Sequence, residues 1–501
     1  MTRNLGVAWL GLMQIAWLLS ACQLSPDPAQ LSPNAPAATS IPLIAPYSGQ
    51  EIPSPTRPLP GSPIITAPVD PNSIASTQPV SPTSLLATGQ PLSLSGLVED
   101  QPAEALLLPD SEVVYSPSAV DFNLADYLKA SGGFLAEHRE YLRSTGWTSA
   151  ADVVQRVALE YSVNPRLLLS LLERECGCVM EQPHSALDVE YLLGVDGYRN
   201  KGLYRQLEWA ATQLSVGYYA WRSGSLTQLQ SAGGIMSPPF PGLNAGSVAL
   251  MYFYALKYAG QPEGLPRWRE AVDPRAGLPA LHARMFGDPW VREAMVEPLL
   301  PADLSQPLMN LPFEPGVLWS FTSGPHAAWG VEGALAALDF APAVPISGCI
   351  QTDAWVVAVA DGLVTRSAFG VVGQDIYLDA SGAVEPVPID GLEQTGWAVV
   401  YLHIAERGRV AQGTFLRTGE RIGHPSCEGG RANGTHLHIA RKYNGEWLPA
   451  GGGSLPFVLS GWTAHVGDAP YQGTLTRDEL TVVAHPYGSY ETNIKIPKSE
   501  P

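Results

Sequence analysis

The sequence predicts a multidomain chain in which a disordered Pro-rich linker leads to an α-helical domain and then to a mostly antiparallel β domain. Three observations predict this architecture. Prolines recur every few residues up to about residue 118, apolar residues follow a helical period between residues 119 and 305, and short β-rich runs alternate with Gly-rich turns from residue 306. A length of 501 residues is sufficient for two or three domains.

Residues 1–22 are typical of a bacterial lipoprotein signal peptide. Arg3 supplies the positive charge at the start, and the apolar run over residues 5–19 is short for a membrane span. The segment ends in Leu-Ser-Ala-Cys, which resembles the lipobox in which the cysteine, here Cys22, is lipidated. We therefore expect an exported protein that is anchored to a membrane by lipid and faces the cell wall or the extracellular side. The alternative is an ordinary signal peptide with a chance cysteine.

Residues 23–118 are predicted to form a disordered linker. Proline, serine and threonine dominate, charges are sparse and no apolar period persists. Such a segment buries too little apolar surface to offset its conformational entropy. We interpret it as a tether between the membrane anchor and the folded domains, and residues 491–501 as a short tail.

Helix signals are clear in the helical domain, which we place at residues 119–305. Ser149 with Asp152 resembles a capping box, and Asn164 followed by Pro165 is a second helix start. Further helices are predicted over residues 202–222, 244–259 and 289–297.

The charge of the chain excludes one class of function, and its cysteines suggest possible disulfides. The net charge is −18, and no basic patch is large enough for a nucleic-acid binder. Cys349 and Cys427 could form a disulfide, since an exported compartment is oxidising. Cys176 and Cys178 would point apart on a helix, where a bridge this short would be strained, and the sequence leaves their disulfide state open.

The most informative motif is the His-Leu-His sequence from His436 to His438 in the third region, which we place at residues 306–490. On a strand, residues i and i+2 project from one face. The two imidazoles would therefore lie side by side, with Leu437 and Ile439 buried behind them. Paired imidazoles can form half of a zinc site.

Four motifs in this region occur in a family order. They are the Gly-Pro-His of His326 thirteen residues before Asp339, the Tyr-Leu-His of His403, the Gly-His-Pro-Ser-Cys-Glu-Gly-Gly run over residues 423–430 and the His-x-His. Together they resemble the lysostaphin-like zinc metalloendopeptidases, most closely the β-lytic and staphylolytic branch, over about residues 321–486. The resemblance implies a small antiparallel β domain, the duplicated hybrid motif, with a groove above one catalytic zinc ion. It further implies that His326, Asp339 and His438 bind the zinc and that His403 and His436 act in catalysis.

The residue chemistry agrees with that resemblance. Three protein ligands leave a fourth position for water, as in catalytic zinc sites. One imidazole can then accept a proton while another stabilises the oxyanion or protonates the leaving amine. The sequence leaves open which of His403 and His436 is the base. Taken singly, each histidine could be a structural residue, and it is their joint order that favours the metal site. Tyr471 is a further candidate for the groove.

The helical domain loosely resembles lysozyme-like lytic transglycosylases. A glutamate, Glu175, stands at the end of a Leu-rich helix, where those enzymes carry their catalytic acid, although Cys176 replaces the usual serine. A domain that only binds glycan, or a solvated helix end without function, would give the same pattern.

These observations lead to one functional expectation and one alternative. The expectation is a zinc metalloendopeptidase that hydrolyses peptide cross-bridges of bacterial peptidoglycan or Gly-rich peptides. The alternative is a catalytically silent scaffold that binds the cell wall or activates another hydrolase. Bound zinc and turnover would distinguish them. The bond cleaved, a zymogen step and the oligomeric state stay open.

Overall fold

The architecture is described by a computed structural model covering residues 106–183, 188–234, 236–237, 239–343, 348–377 and 389–498. The predicted signal peptide, Cys22 and most of the predicted linker lie outside these residues. Within them, the helical and β domains belong to one compact unit. None of the described helices is long and apolar enough to cross a membrane.

The first domain is helical, as predicted, with short two-residue or four-residue strands between its helices. Its helices are α1 (Asp110–Val113), α2 (Leu124–Ser131), α3 (Phe134–Glu137), α4 (Ala150–Tyr161), α5 (Pro165–Cys176), α6 (Leu203–Arg222), α7 (Ala245–Lys257), α8 (Gly264–Ala271), α9 (Leu278–Phe286) and α10 (Pro289–Val296). Its strands are β1 (Arg139–Leu142), β2 (Gly146–Ser149), β3 (Leu229–Gln230) and β4 (Met236–Ser237). The predicted helices at 202–222, 244–259 and 289–297 correspond to α6, α7 and α10.

The two predicted helix starts have the expected caps. The Ser149 hydroxyl accepts a hydrogen bond from the Asp152 amide at the start of α4. The Asn164 side chain accepts one from the Arg166 amide at the start of α5, with Pro165 in the first helical position. These local contacts satisfy amides that have no partner within their own helix.

The helical domain begins earlier than we predicted. Residues 106–118, which we assigned to the disordered linker, include α1, and Leu107, Leu108 and Val113 are buried in the core of the domain. The Asp110 carboxylate accepts hydrogen bonds from Asn244 and from the Gly246 amide at the start of α7. The linker prediction was wrong here because these contacts are made to residues more than a hundred positions away, which no local pattern reports.

The second domain is built on a nine-stranded antiparallel sheet. The strands along its path, in spatial order, are β11 (Phe415–Leu416), β8 (Gly362–Ala368), β9 (Val371–Ile376), β10 (Trp397–Leu402), β13 (Leu437–Tyr443), β6 (Ala337–Pro342), β5 (Trp319–His326) and β19 (Asn493–Ile494). The ninth strand, β14 (Glu446–Trp447), extends β13 as a hairpin. This sheet matches the predicted fold class.

Smaller sheets flank the large one. β7 (Val356–Val357) pairs with β12 (Arg421–Gly423), and a four-stranded sheet contains β15 (Val458–Leu459), β16 (Trp462–Val466), β17 (Gly473–Arg477) and β18 (Leu480–Val483). The predicted tail over residues 491–501 is shorter than expected, because β19 within it pairs with β5. An apolar core of Trp, Phe, Val and Leu side chains fills the space beneath the sheets.

The β13–β14 hairpin joins the two domains. Arg222 of α6 donates two hydrogen bonds to the buried Glu446 carboxylate, at 2.9 and 3.0 Å, and the Trp447 amide donates to the Tyr219 hydroxyl. At the tip, Gly445 lies so close to the Tyr115 carbonyl oxygen that an added Cβ would come within 2.0 Å of it. This contact positions the helical domain beside the site described below.

The cysteine pair at the end of α5 forms a disulfide, which the sequence left open. The helix ends at Cys176 because Gly177 adopts a left-handed conformation with φ of 63°. Cys178 is therefore not on the helix, and its sulfur is bonded to that of Cys176. The two side chains would point apart only on a continuous helix, and the helix ends before Gly177.

Candidate metal centre

The His-x-His motif lies where β13 meets β6. Leu437 and Ile439 are fully buried on one face, as predicted, and His436 and His438 both approach Asp339 on the other. β13 pairs with β6 in a register that sets His438 directly opposite Asp339. Two-residue alternation along a strand, together with this register, is what brings a histidine and a carboxylate together from distant parts of the sequence.

His326, Asp339 and His438 converge on one point. His326 ends β5, the strand on the other side of β6. Its Nε2 lies 3.0 Å from His438 Nδ1 and 3.2 Å from Asp339 Oδ1, and His438 Nδ1 lies 3.3 Å from the same oxygen. All three side chains are buried. Among the described residues, they form a group whose donor atoms are close enough together to hold a metal ion.

The three donor atoms fit a tetrahedral zinc ion. Bonds of about 2.0–2.1 Å at tetrahedral angles place ligand atoms about 3.3–3.4 Å apart, close to the separations found here. Asp339 Oδ1 is a buried oxygen without a hydrogen-bond partner, which is costly unless a cation occupies the space in front of it. Catalytic zinc sites commonly use three protein ligands, and two histidine nitrogens with one carboxylate oxygen are such a set.

Backbone carbonyls orient both histidine ligands. His326 Nδ1 lies 2.9 Å from the Gly324 oxygen, and His438 Nε2 lies 3.0 Å from the Ala328 oxygen. A carbonyl can only accept, so these ring nitrogens carry the protons and the opposite nitrogens present their lone pairs to the metal position. Sequence analysis missed these carbonyls because every residue has one, and only their position distinguishes them.

Charge at the site favours an ionised carboxylate. Burial alone would raise the pKa of Asp339, but His326 and His438 outweigh that effect and hold the pKa well below its ordinary value. The carboxylate is therefore anionic at neutral pH and can partly neutralise a divalent cation.

His403 lies beside the candidate ligands in an uncommon backbone conformation. It follows β10 with φ of 67°, a left-handed value that is unfavourable for a residue with a Cβ. Its Nδ1 donates to the Glu428 carbonyl at 2.8 Å, and its own carbonyl accepts from the Ser426 amide at 2.7 Å. These contacts hold the ring with Nε2 unprotonated. Burial, together with the neighbouring His436 and His438, lowers the pKa of His403 to about 3.

His436 faces the same position from the other side. Its ring lies 4.4 Å from that of His403, and its Nε2 lies 3.7 Å from Asp339 Oδ2. The Gly434 carbonyl accepts from His436 Nδ1 at 2.7 Å, so that in the neutral ring the lone pair is on Nε2. The structure thus brings together all five residues that the sequence assigned to the site.

A cavity of about 1480 Å³ opens above these residues. Its floor includes the candidate ligands, and its far wall is formed by the helical domain, including Glu160 and Tyr204. Tyr471 also lines it and stacks on His326, with ring centroids 4.6 Å apart. The candidate ligands are therefore accessible to a substrate that enters the cavity.

Cys349 and Cys427 are joined by a disulfide next to this site. Cys427 adjoins Glu428, whose carbonyl orients His403. On the other side of the bridge, the Gly348 carbonyl accepts from the Thr435 amide, one residue before His436. The disulfide therefore connects the two loops whose carbonyls contact His403 and Thr435, the residue before His436.

Glu175, the candidate glycan-domain acid, is remote from the cavity lining. Its carboxylate pairs with Lys257 Nζ at 3.0 Å and accepts a hydrogen bond from the Tyr258 hydroxyl at 3.2 Å. The side chains of Glu175 and Lys257 are only 8% and 3% exposed. A catalytic acid must lie within hydrogen-bond reach of its substrate, whereas this carboxylate is buried against Lys257 and Tyr258. The geometry favours a structural role.

Comparison with known proteins gives matches to both domains. Residues 106–300 match the family model of the LasA N-terminal domain. The chain is 25% identical to Protease LasA of Pseudomonas aeruginosa strain UCBPP-PA14 over 382 residues, covering 73% of this chain and 80% of that protein. Protease LasA of strain PAO1 matches with the same identity and coverage.

Solved structures of related peptidases are similar to part of the chain. The M23 metalloprotease pseudoalterin matches with a TM-score of 0.28 and 22% identity, covering 36% of this chain and 96% of that one. The catalytic domain of lysostaphin from Staphylococcus simulans matches with a TM-score of 0.17 and 18% identity, covering 26% and 87%. The chain is therefore similar to Protease LasA over most of its length, and residues 106–300 match the LasA N-terminal domain.

Proposed function

We propose that this protein is a zinc-dependent endopeptidase that hydrolyses peptide bonds in peptidoglycan cross-bridges or Gly-rich peptides. One observation carries the proposal. Three donor atoms of His326, Asp339 and His438 lie 3.0–3.3 Å from one another beneath an open cavity, and the Asp339 oxygen among them is buried without a hydrogen-bond partner. The peptidase relatives named above support the reaction type, and they leave the metal and the substrate as part of the proposal.

In the proposed reaction, zinc activates the peptide carbonyl and the water, and protein side chains bind the zinc and transfer protons. Bound zinc supplies a Lewis acid that polarises a peptide carbonyl and lowers the pKa of water to about 7. His326, Asp339 and His438 would hold it. His403 and His436, which lie beside these candidate ligands, would accept a proton from the attacking water and return it to the leaving amine. The separate roles of these two histidines are not distinguished by geometry.

The shape of the site supports a substrate with a slender backbone. Glycines flank the catalytic residues at Gly429, Gly430 and Gly434, all in the cavity lining. The absence of side chains at these three positions keeps the approach to His403 and His436 open. A peptide of glycine or other small residues could therefore approach the site closely.

Chelation tests the proposal directly. Purified full-length protein is freed of metal, then given zinc or left without it, and incubated with peptidoglycan and separately with a pentaglycine peptide. Mass spectrometry should find new peptide ends only in the zinc-containing samples. Cleavage by the metal-free protein would contradict the proposal. A folded protein that binds no zinc would instead favour the wall-binding scaffold or hydrolase activator.

We also propose that the protein is exported and anchored to a membrane by lipid on Cys22. The lipobox-like sequence at residues 19–22 supports this. Expression with a labelled fatty acid should label the wild type but not Cys22→Ser. Equal labelling of both would contradict the anchor.

A further inference from the structure

The β1–β2 hairpin of the helical domain lies at the rim of the catalytic cavity. Tyr141, Leu142, Arg143 and Ser144 of this hairpin line the same cavity as His326 and His438. Whatever occupies the cavity can therefore extend onto the hairpin without leaving the protein surface.

The β1–β2 hairpin has its polar side chains on the inward face and its aromatic side chains on the outward face, which is the reverse of the usual arrangement. In an antiparallel pair, one face normally packs apolar side chains on the core while the other presents polar ones to water. Here Glu140 and Thr148 pair on the inward face, and Tyr141 and Trp147 pair on the outward face. Tyr141 is 63% exposed and Trp147 is 67% exposed. Core packing therefore does not explain the aromatic pair.

The two rings form a single platform. Their centroids are 5.8 Å apart with an interplanar angle of 76°, an edge-to-face contact that fixes one ring against the other. Arg139 donates to the Trp147 carbonyl at 2.8 Å and braces the two strands. Exposed tyrosine and tryptophan held in this way are typical of binding hot spots.

Both ends of the hairpin are fixed relative to the catalytic residues. The Arg156 guanidinium donates to the Ser144 hydroxyl at 2.7 Å and to Glu160 at 2.8 Å, and it lies 5.1 Å from the ring centroid of Phe369 in the β domain. On the inward face, the Glu140 carboxylate accepts from the Tyr204 amide at 2.9 Å. The platform is therefore held in place before any ligand arrives, which lowers the entropic cost of binding.

We propose that Tyr141 and Trp147 form a saccharide subsite that holds the glycan strand of peptidoglycan while its peptide enters the cavity. The inference rests on the proposed function, since it names the form of the substrate. Pyranose rings present flat C–H faces that stack on aromatic rings, and Arg143 beside the platform can donate to their oxygens. A Gly-rich cross-bridge has no side chain to cover an indole, so the peptide alone does not account for the pair.

Direct binding tests this assignment without requiring catalysis. Peptide-free tetrasaccharide prepared from peptidoglycan is titrated into the full chain, metal-free and zinc-loaded, by calorimetry. The wild type should bind in both states. Trp147→Ala and Tyr141→Ala should each weaken binding at least about tenfold, or about 1.4 kcal/mol, and Trp147→Phe should recover most of it. Tyr490→Ala is the matched control, because Tyr490 is an exposed aromatic of the β domain.

Three results would overturn the proposal. They are no binding by the wild type, equal binding by wild type and the double alanine variant, and a Trp147-dependent affinity for pentaglycine in place of the saccharide. Equal melting temperatures for wild type and variants would exclude misfolding as the cause of a loss. Because the titration needs neither zinc nor turnover, an inactive peptidase would leave this result standing, and a failed titration would leave the peptidase proposal standing.

Discussion

Asp339 and His438 lie directly opposite each other on β6 and β13, with Oδ1 and Nδ1 3.3 Å apart. The oxygen has no hydrogen-bond partner, although it is buried. Burying an ionised carboxylate against two imidazoles in this way is costly unless a cation or a proton lies between them. The relationship gives a direct prediction about metal affinity.

Replacing Asp339 by Asn should remove zinc. The amide has nearly the shape of the carboxylate but no charge to offset the cation. We expect a loss of zinc affinity greater than the roughly 10- to 100-fold that follows removal of an outer partner. Zinc per chain after dialysis, measured by atomic emission, checks this. Asp353→Asn, at a fully exposed aspartate, is the control, and unchanged zinc content in Asp339→Asn would refute the assignment.

His403→Ala and His436→Ala should retain zinc and lose activity. Both histidines face the cavity, but their Nε2 atoms are outside the group formed by His326, Asp339 and His438. Loss of a general acid or base slows hydrolysis about 10²–10⁴-fold. Peptide turnover and zinc content are measured together, with the exposed His465→Ala as control. Loss of zinc along with activity would show that these residues are ligands instead.

Glu175→Gln should destabilise the protein without changing any release of glycan fragments. The substitution leaves Lys257 buried without its carboxylate partner, which costs about 3–5 kcal/mol. Thermal unfolding and reducing-sugar assays check the two parts. Glu270→Gln is the matched control, because Glu270 is 70% exposed and its pair with Arg174 contributes little. Glycan release that depends on Glu175 would restore the lytic-transglycosylase interpretation.

Asp375 should make stability depend on pH. Burial, with Asp390 and Glu393 nearby, raises the pKa of Asp375 from 3.8 to about 7. The folded state therefore binds this proton more tightly than the unfolded state, so its contribution to the unfolding free energy is present at low pH and is lost as pH rises from about 4 through about 7. Asp375→Asn should flatten this part of the profile. Denaturant unfolding between pH 4 and 8 measures it, and parallel profiles for wild type and variant would contradict it.

Some of the site follows from local pattern alone. His436, which immediately precedes β13, and His438 share a face because side chains in an extended strand alternate between its two faces, and Leu437 and Ile439 are buried on the other face for the same reason. The caps at Ser149 and Asn164 are equally local. The order of His326, Asp339, His403 and the His-x-His then indicated the family.

Other features depend on contacts between distant parts of the chain. Glu175 pairs with Lys257 in another helix, and residues 106–118 pack against α7. The role of Glu175 and the structure of residues 106–118 therefore could not be predicted from their neighbours in sequence. The carbonyls of Gly324 and Ala328 orient the candidate ligands through position and not through residue type.

By itself, the sequence determined the two domain types and the helix starts, because these follow from short-range periodicity and capping. It also proposed the five candidate site residues, through the resemblance of the ordered motifs to a known family. Only the tertiary structure decided that three donor atoms converge to within 3.3 Å and that the helical domain forms the far wall of their cavity. Strand register and the packing of the β13–β14 hairpin on α6 fix those distances. Both arise from long-range complementarity that no local stretch of sequence contains.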